Sequence, residues 1–435
     1  MTATHESSRT GRAVVEQTQL AKARRLLERV RTNPFYGPRY AGTGLAPDDP
    51  DLLALWRSLP LVDKADVLAD QRAHPPYGTR LGVGVQDVRE IHLTSGTSGF
   101  GQEAFALTEE DLAVSGSTWG RPLAALGLRP GELFATMYPI TFLCYGRSLL
   151  QGAAQAGTPV VSLAGADTQL AVSLMEGLQP VGIGARPAFL KLAEESLAAR
   201  DLLPRDAFPK LRGVVCSGLT ATAVAATEQL WDARVHEVYG ASQAGGIIAA
   251  TGPEGAVLDG AAALMYGIEE HFLLEVVDPQ TLEPVREGEG EVVLTCLDRL
   301  ASPIVRYRTR DRVTVVAPGT EDNASPYQAI RVGSIGRYDD MLKIRGNNVW
   351  PQQLEEALLG HPAIADFQAE VTLDGRGVDV LAVQVRRCDG GAAPDALWDE
   401  VRRRVKRATN VTPKVQDRPD LPPPDVKPRR LLDRR

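Results

Sequence analysis

Two stretches gather glycine and hydroxyl side chains beside apolar runs, the places where a backbone can come close to phosphate. The first is Leu93-Thr94-Ser95-Gly96-Thr97-Ser98-Gly99-Phe100-Gly101. Its glycines let N–H groups approach phosphate oxygens, and its hydroxyls add donors. It is not a Walker loop, because no Gly-Lys-Ser/Thr follows, and its glycines are wrongly spaced for a dinucleotide fingerprint. A flexible turn would have the same composition. The second, Val238-Tyr239-Gly240-Ala241-Ser242-Gln243-Ala244-Gly245-Gly246, follows a predicted buried strand and reads as a small-residue loop. Ligands of α/β sheets bind where strand ends meet such loops.

Two further segments, Pro303 to Asp311 and Gly336 to Pro351, are dense in charge beside β-like runs. Solvated faces can look the same. Their order is what a solvated face does not explain, together with Lys427 in Asp425-Val426-Lys427-Pro428 near the end of the chain.

The elements that must position these residues follow from periodicity. Residues 13–30 carry apolar side chains at helical spacing and stop at Asn33-Pro34. From Val88 to about Arg310, short apolar runs alternate with helical patterns such as Ala221 to Trp231, the mark of an α/β fold with parallel-rich sheets. Residues 271–335 change texture and read as a small β subdomain of antiparallel strands. After Gly336 a small α+β unit is expected, with helices at 351–359 and 396–407 and strands between them. The expected domains are 1–336 and 337–435, joined by a short hinge near Arg337 to Asp340.

The chain has 435 residues and a formal net charge of −7, which speaks against nucleic acid or an anionic membrane as partner, since both require a basic face. Cys144, Cys216, Cys296 and Cys388 are far apart and form no CxxC pair, so structural zinc and a disulfide framework are not expected. No apolar run reaches the ~18 residues of a membrane span, and the polar N-terminus lacks a secretory core. A cytoplasmic location is the expectation.

Taken together, the segments around Thr94, Tyr239, Asp311, Gly336 to Pro351 and Lys427 resemble the core motifs of the adenylate-forming superfamily of acyl-CoA synthetases, adenylation domains and luciferases. More closely, the chain resembles the phenylacetate-CoA ligase branch. Arg31 to Tyr36, Leu59 to Lys64, and Gly267 to Phe272 running into Glu275 to Pro279 support that branch.

The resemblance implies an AMP-forming ligase. It uses ATP and Mg2+ to activate a small, flat aromatic acid as acyl-AMP, releases pyrophosphate and then transfers the acyl group to CoA. Thr94, Ser95, Gly96, Thr97, Ser98 and Gly99 would hold the β- and γ-phosphates. Tyr239, Gly240 and Ser242 would border the nucleotide, Asp311 would accept from the ribose hydroxyls, and Arg337 would face ribose or phosphate. Asp339 matches the hinge of a mobile C-terminal domain, and Lys427 would be the catalytic lysine between the attacking oxygen and the α-phosphate. Tyr138, Phe142 and the loop at Gly218 would line the aryl pocket, although both aromatics could equally fill core. The partners are small molecules, and a homodimer is among the assemblies the resemblance allows.

This sequence departs from the pattern at several points. Gln243 stands where the family usually has the glutamate that helps hold magnesium, so Gln243→Glu is expected to tighten the metal. Phe100-Gly101-Gln102-Glu103 replaces a segment that usually carries lysine, Arg310 replaces a glycine common in the wider superfamily, and no cysteine lies in 251–266 for a zinc site. Two other readings follow from these departures. One is a specialised ligase with a non-CoA acceptor, such as a diazotase that activates nitrite for an aryl amine. The other is a non-catalytic nucleotide-binding homologue.

Overall fold

The computed structural model describes residues 2–94, 101–219, 221–375, 377–388, 395–422 and 430–435. The chain divides into two compact units, Met1–Gly218 with Thr227–Ile335, and Leu219–Ala226 with Gly336–Arg435.

The larger unit opens with a helix over Thr2–Thr32, longer than the predicted 13–30. Ala23, Leu26, Leu27 and Val30 recur at helical spacing and are buried. Asn33 ends the helix by accepting the N–H groups of Phe35 and Tyr36 on its side-chain oxygen, at 3.0 and 3.2 Å.

Its strands in chain order are β1 (Glu90–Leu93), β2 (Ala104–Leu107), β3 (Phe134–Thr136), β4 (Val160–Ser162), β5 (Gly182–Gly184), β6 (Gly213–Cys216), β7 (Arg234–Ala241), β8 (Gly246–Thr251), β9 (Val257–Leu258), β10 (Ala261–Ala262), β11 (Leu264–Gly267), β12 (Phe272–Val277), β13 (Gly288–Cys296), β14 (Tyr307–Val316) and β15 (Ala329–Arg331). Strands β4, β3, β5, β6 and β7 lie side by side and parallel. Every residue of β6 is buried, as befits a strand covered on both faces. Glycines 182 and 184 keep β5 flat beneath the Phe134 ring, which a β-carbon would meet at 3.0 and 3.2 Å.

From β7 the same sheet continues antiparallel through β8, β11, β15, β14, β13 and β12. The strand-rich stretch after His271 is therefore joined edge to edge with the parallel strands. Another difference concerns Val238 to Gly246, read from sequence as a loop. Tyr239, Gly240 and Ala241 belong to β7, and only a tight turn separates them from β8. Gly245, at φ +74, closes that turn with its N–H 3.1 Å from the carbonyls of both Ala241 and Ser242. Small residues have weak strand propensity, and ladder pairing to β8 overrides it.

The smaller unit contains a hairpin of Leu342–Ile344 with Asn347–Val349. Arg345 (φ 48) and Gly346 (φ 82) form its two-residue turn, both in the left-handed region that such turns require. A helix over Pro351–Leu359 and another over Asp395–Thr409 accompany a sheet built on Ile364–Leu373 and Asp379–Arg387. Lys414–Asp417 and Leu431–Asp433 pair parallel at its two edges. Leu354, Leu358, Phe367, Val383, Val401 and Val405 form the centre of this unit's own core. Among the described residues no helix is long and apolar enough to cross a membrane.

Candidate active site

The carboxyl ends of the parallel strands collect five of the residues singled out from sequence, Tyr138, Gly218, Gly240, Ser242 and Gln243. Tyr138 follows β3, Arg186 follows β5, Gly218 follows β6, and Gly240, Ser242 and Gln243 stand at the end of β7. In a parallel sheet the strand carbonyl ends open into loops on one edge, which is where ligands are held.

Tyr239 is buried, and its hydroxyl donates to Asp311 Oδ2 at 2.7 Å. Asp311 owes its aim to a bulge in β14. Pairing with β13 jumps from Val293–Arg308 to Glu291–Arg312, so Thr309, Arg310 and Asp311 bow out opposite Val292. Thr309 secures the bulge by donating its hydroxyl to Val292 O at 2.8 Å and accepting the Asp311 N–H at 3.0 Å. Arg310 sits at φ +63, which gives the glycine common at this position a physical reason. Here an arginine accepts the strain, with its N–H 3.3 Å from Glu291 Oε1 and its guanidinium 3.7 Å from Glu291 Oε2. Gly240 is equally constrained, because a β-carbon there would lie 2.7 Å from the Gly246 carbonyl oxygen.

Thr94 stands at the base of the glycine-rich segment. Its N–H donates to Glu103 O at 3.1 Å and its hydroxyl accepts the Glu103 N–H at 2.9 Å. Ser95, Gly96, Thr97, Ser98 and Gly99 lie outside the described residues, as does Lys427. Glu103 was read from sequence only as part of a segment lacking lysine, yet it is 0% exposed and its carboxylate is central to a cluster. Tyr307 donates to its Oε1 at 2.8 Å, and Gln243 Nε2 donates to its Oε2 at 3.0 Å. Burial raises the Glu103 carboxyl above the usual range, while the Tyr307 hydroxyl, Lys64, Arg80 and the Gln243 amide oppose that rise. Thr94, Gln243 and Glu103 thus meet at one spot.

On the side expected for the acyl group, Tyr138 is buried and donates to Ala185 O at 2.8 Å. Its ring lies 4.1 Å from that of Tyr145, centroid to centroid, a residue the sequence reading did not single out. The Arg186 guanidinium stands 5.7 Å over the Tyr138 ring. Phe142 is 48% exposed and so does not fill core, while its carbonyl accepts the Leu93 N–H at 2.9 Å. Gly218 adopts φ +81 and donates its N–H to Glu237 Oε1 at 3.1 Å. Glu237 is a second missed residue; burial pushes its carboxyl up to about 7.

In the smaller unit, Arg337 Nη2 and Asp339 Oδ2 form a partly exposed ion pair at 2.9 Å. Three residues beyond Lys427, Arg430 is fastened to Asp366 at 3.0 Å and to Glu355 at 3.1 Å, and its carbonyl accepts the Ala369 N–H at 2.7 Å.

No family model matches the chain. Among curated proteins, the phenylacetate-coenzyme A ligase of Pseudomonas putida is 32% identical over 353 residues, covering 79% of this chain and 75% of that protein. The enzyme of the same name from Thermus thermophilus is 30% identical over 417 residues, covering 91% and 89%. Among solved structures, a 2-hydroxyisobutyryl-CoA ligase in the postadenylation state, in complex with 2-HIB-AMP, superposes with a TM-score of 0.84. That alignment covers 96% of this chain and 89% of the other at 22% identity, and it establishes a common fold. The chain is an AMP-forming enzyme of the adenylate-forming class. Within that class it belongs to the phenylacetate-CoA ligase family.

Proposed function

We propose that the protein activates a small aromatic carboxylic acid with ATP as an acyl adenylate and then transfers the acyl group to the thiol of CoA. The observation that carries this reading is the Tyr239–Asp311 hydrogen bond, and the tyrosine pair Tyr138 and Tyr145, with ring centroids 4.1 Å apart, supports it. The aromatic pair offers flat apolar surface for a ring, and the buried carboxylate offers two acceptor oxygens to a vicinal diol such as ribose.

In the first half-reaction a carboxylate oxygen bonds to the α-phosphorus, the bond from that phosphorus to the bridging oxygen breaks, and pyrophosphate leaves. The barrier is the approach of two anions, so fixed donors and positive charge lower it. In this reading residues 94–99 hold the leaving phosphates, Asp311 fixes the ribose, Arg337 faces ribose or phosphate, and Lys427 bridges the attacking oxygen and the α-phosphate. Lys427 suits that role as a compact, swivelling cation. In the second half-reaction the CoA sulfur bonds to the acyl carbon, AMP leaves, and the thiol proton passes to solvent. Residues 1–336 then act as the nucleotide-holding domain and 337–435 as the domain bearing the lysine, with Asp339 at the hinge.

The oxygens of Gln243 and Thr94 suit a hydrated magnesium ion carried by ATP, whose charge would screen the triphosphate. A second reading, activation of nitrite for attack by an aryl amine, is raised by Gln243 and by the segment Phe100-Gly101-Gln102-Glu103, where this sequence departs from the family pattern. Pyrophosphate release with panels of aryl acids, with nitrite plus aryl amines, and with and without CoA separates the two. AMP formation that depends on aryl acid and CoA is expected. Dependence on nitrite replaces the first reading with the second, and silence alongside intact ATP binding leaves a non-catalytic homologue.

A further inference from the structure

The neutral side chain of Gln243 at a place where the family pattern has a glutamate leaves the negative charge of that position unaccounted for. The structure puts a carboxylate immediately behind it. Glu103 is completely buried, Tyr307 donates to its Oε1 at 2.8 Å, and Gln243 donates to its Oε2 at 3.0 Å. A second contact runs from Gln243 Nε2 to the Tyr307 hydroxyl oxygen at 3.3 Å.

The hydrogen accounting fixes the orientation of the amide. Gln243 Nε2 lies 3.0 Å from Glu103 Oε2 and 3.3 Å from the Tyr307 hydroxyl oxygen, so the amide turns its NH2 group toward the carboxylate. One amide hydrogen goes to Glu103 and the other to Tyr307, whose own hydroxyl hydrogen goes to Glu103. Gln243 is half-buried, and with its NH2 group so engaged its side-chain carbonyl oxygen is the part of the amide left for a ligand. Two cations attend the buried charge, Lys64 and the fully buried Arg80. Arg80 packs 4.7 Å over the Phe105 ring and donates to the Ala104 carbonyl next to Glu103.

We propose that Glu103 is a positioning residue, which locks Gln243 with its carbonyl oxygen toward the nucleotide-bound cation and supplies the negative charge from one amide behind. The proposal rests on the ATP-using reading above. It also reverses the expectation from sequence that Gln243→Glu tightens magnesium. That substitution sets two carboxylates 3.0 Å apart in a buried place, where they repel and cannot both be ionised. The charge can be moved back only if Glu103 gives it up, as in the exchange Glu103→Gln with Gln243→Glu.

The test is a double-substitution cycle on the full chain, comprising wild type, Glu103→Gln, Gln243→Glu and the exchange. Each protein is measured for ATP binding by calorimetry across a magnesium titration, and for its melting midpoint without ligand. Glu103→Gln is expected to weaken magnesium-dependent ATP binding about tenfold, the usual scale for losing a group that orients a metal ligand. Gln243→Glu is expected to lower the unliganded midpoint by about 3 °C or more, without tightening magnesium. The exchange is expected to recover both quantities, because residues in contact do not act additively. A Gln243→Glu protein that is as stable as wild type and binds magnesium-ATP more tightly overturns the proposal, and so does an exchange showing the sum of the single effects. A wild type that binds no ATP at any magnesium concentration removes the ATP-using reading instead, and the unliganded midpoints then decide the pairing by the same additivity criterion.

Discussion

The hydroxyl of Tyr239 donates to Asp311 at 2.7 Å and so ties β7 to β14, strands that are not neighbours in the sheet. One side chain of the hairpin that ends the parallel strands thereby sets the carboxylate assigned here to the ribose. Tyr239→Phe keeps the ring and removes the donor. ATP affinity is expected to fall about tenfold, since a hydrogen bond to a charged acceptor contributes roughly 1.5–3 kcal/mol. Titration calorimetry checks this, and unchanged affinity would mean that other contacts suffice to hold Asp311.

Gly240→Ala tests the hairpin itself. A methyl group 2.7 Å from the Gly246 carbonyl oxygen forces one of the paired strands to move. A loss of about 1–3 kcal/mol in stability is expected, the usual range for overpacking. Denaturant unfolding measures it, and a neutral result would mean that the β7–β8 turn is soft.

Glu237 gives a pH dependence with a definite sign. Burial raises its carboxyl from an ordinary 4.5 to about 7. A raised folded value leaves the contribution intact below the unfolded value and removes it as pH climbs to the folded one. Relative to Glu237→Gln, the wild type is expected to lose stability between pH 4.5 and 7, by about 3 kcal/mol in all. Parallel unfolding curves at several pH values read the difference directly. A constant difference would mean that the carboxyl titrates normally.

In the smaller unit, Arg430 neutralises Asp366, which is buried, and Glu355, whose carboxyl burial raises. Removing one partner of a buried ion pair typically costs about 3–5 kcal/mol, and the partial exposure of Glu355 places Arg430→Ala at the lower end. Limited proteolysis is expected to cut residues 336–435 faster in that variant. Equal cleavage rates would show that the edge strand Leu431–Asp433 holds without it.

The parallel strands and the helices of the smaller unit were legible because each follows from local periodicity. Glu103 was not legible. Its meaning comes from Gln243, 140 residues away, and Tyr307, 204 residues away, and nothing local announces either contact. The one available signal was a charged residue placed directly before Ala104-Phe105-Ala106-Leu107, a strand buried at every position. The β7–β8 hairpin was misread as a loop for a related reason, since its small residues pair only through tertiary context. Arg310 carried a signal that could have been read more fully. An arginine in place of a common glycine invites the question of positive φ, and the backbone there is left-handed.

The role of Lys427 is tested most directly by pyrophosphate exchange with Lys427→Ala, run beside ATP binding by the same variant. Exchange is expected to vanish while ATP affinity stays within about threefold of wild type, because an interaction made only in the transition state lowers rate and not ground-state binding. Full exchange by Lys427→Ala would contradict the adenylation chemistry assigned to this chain.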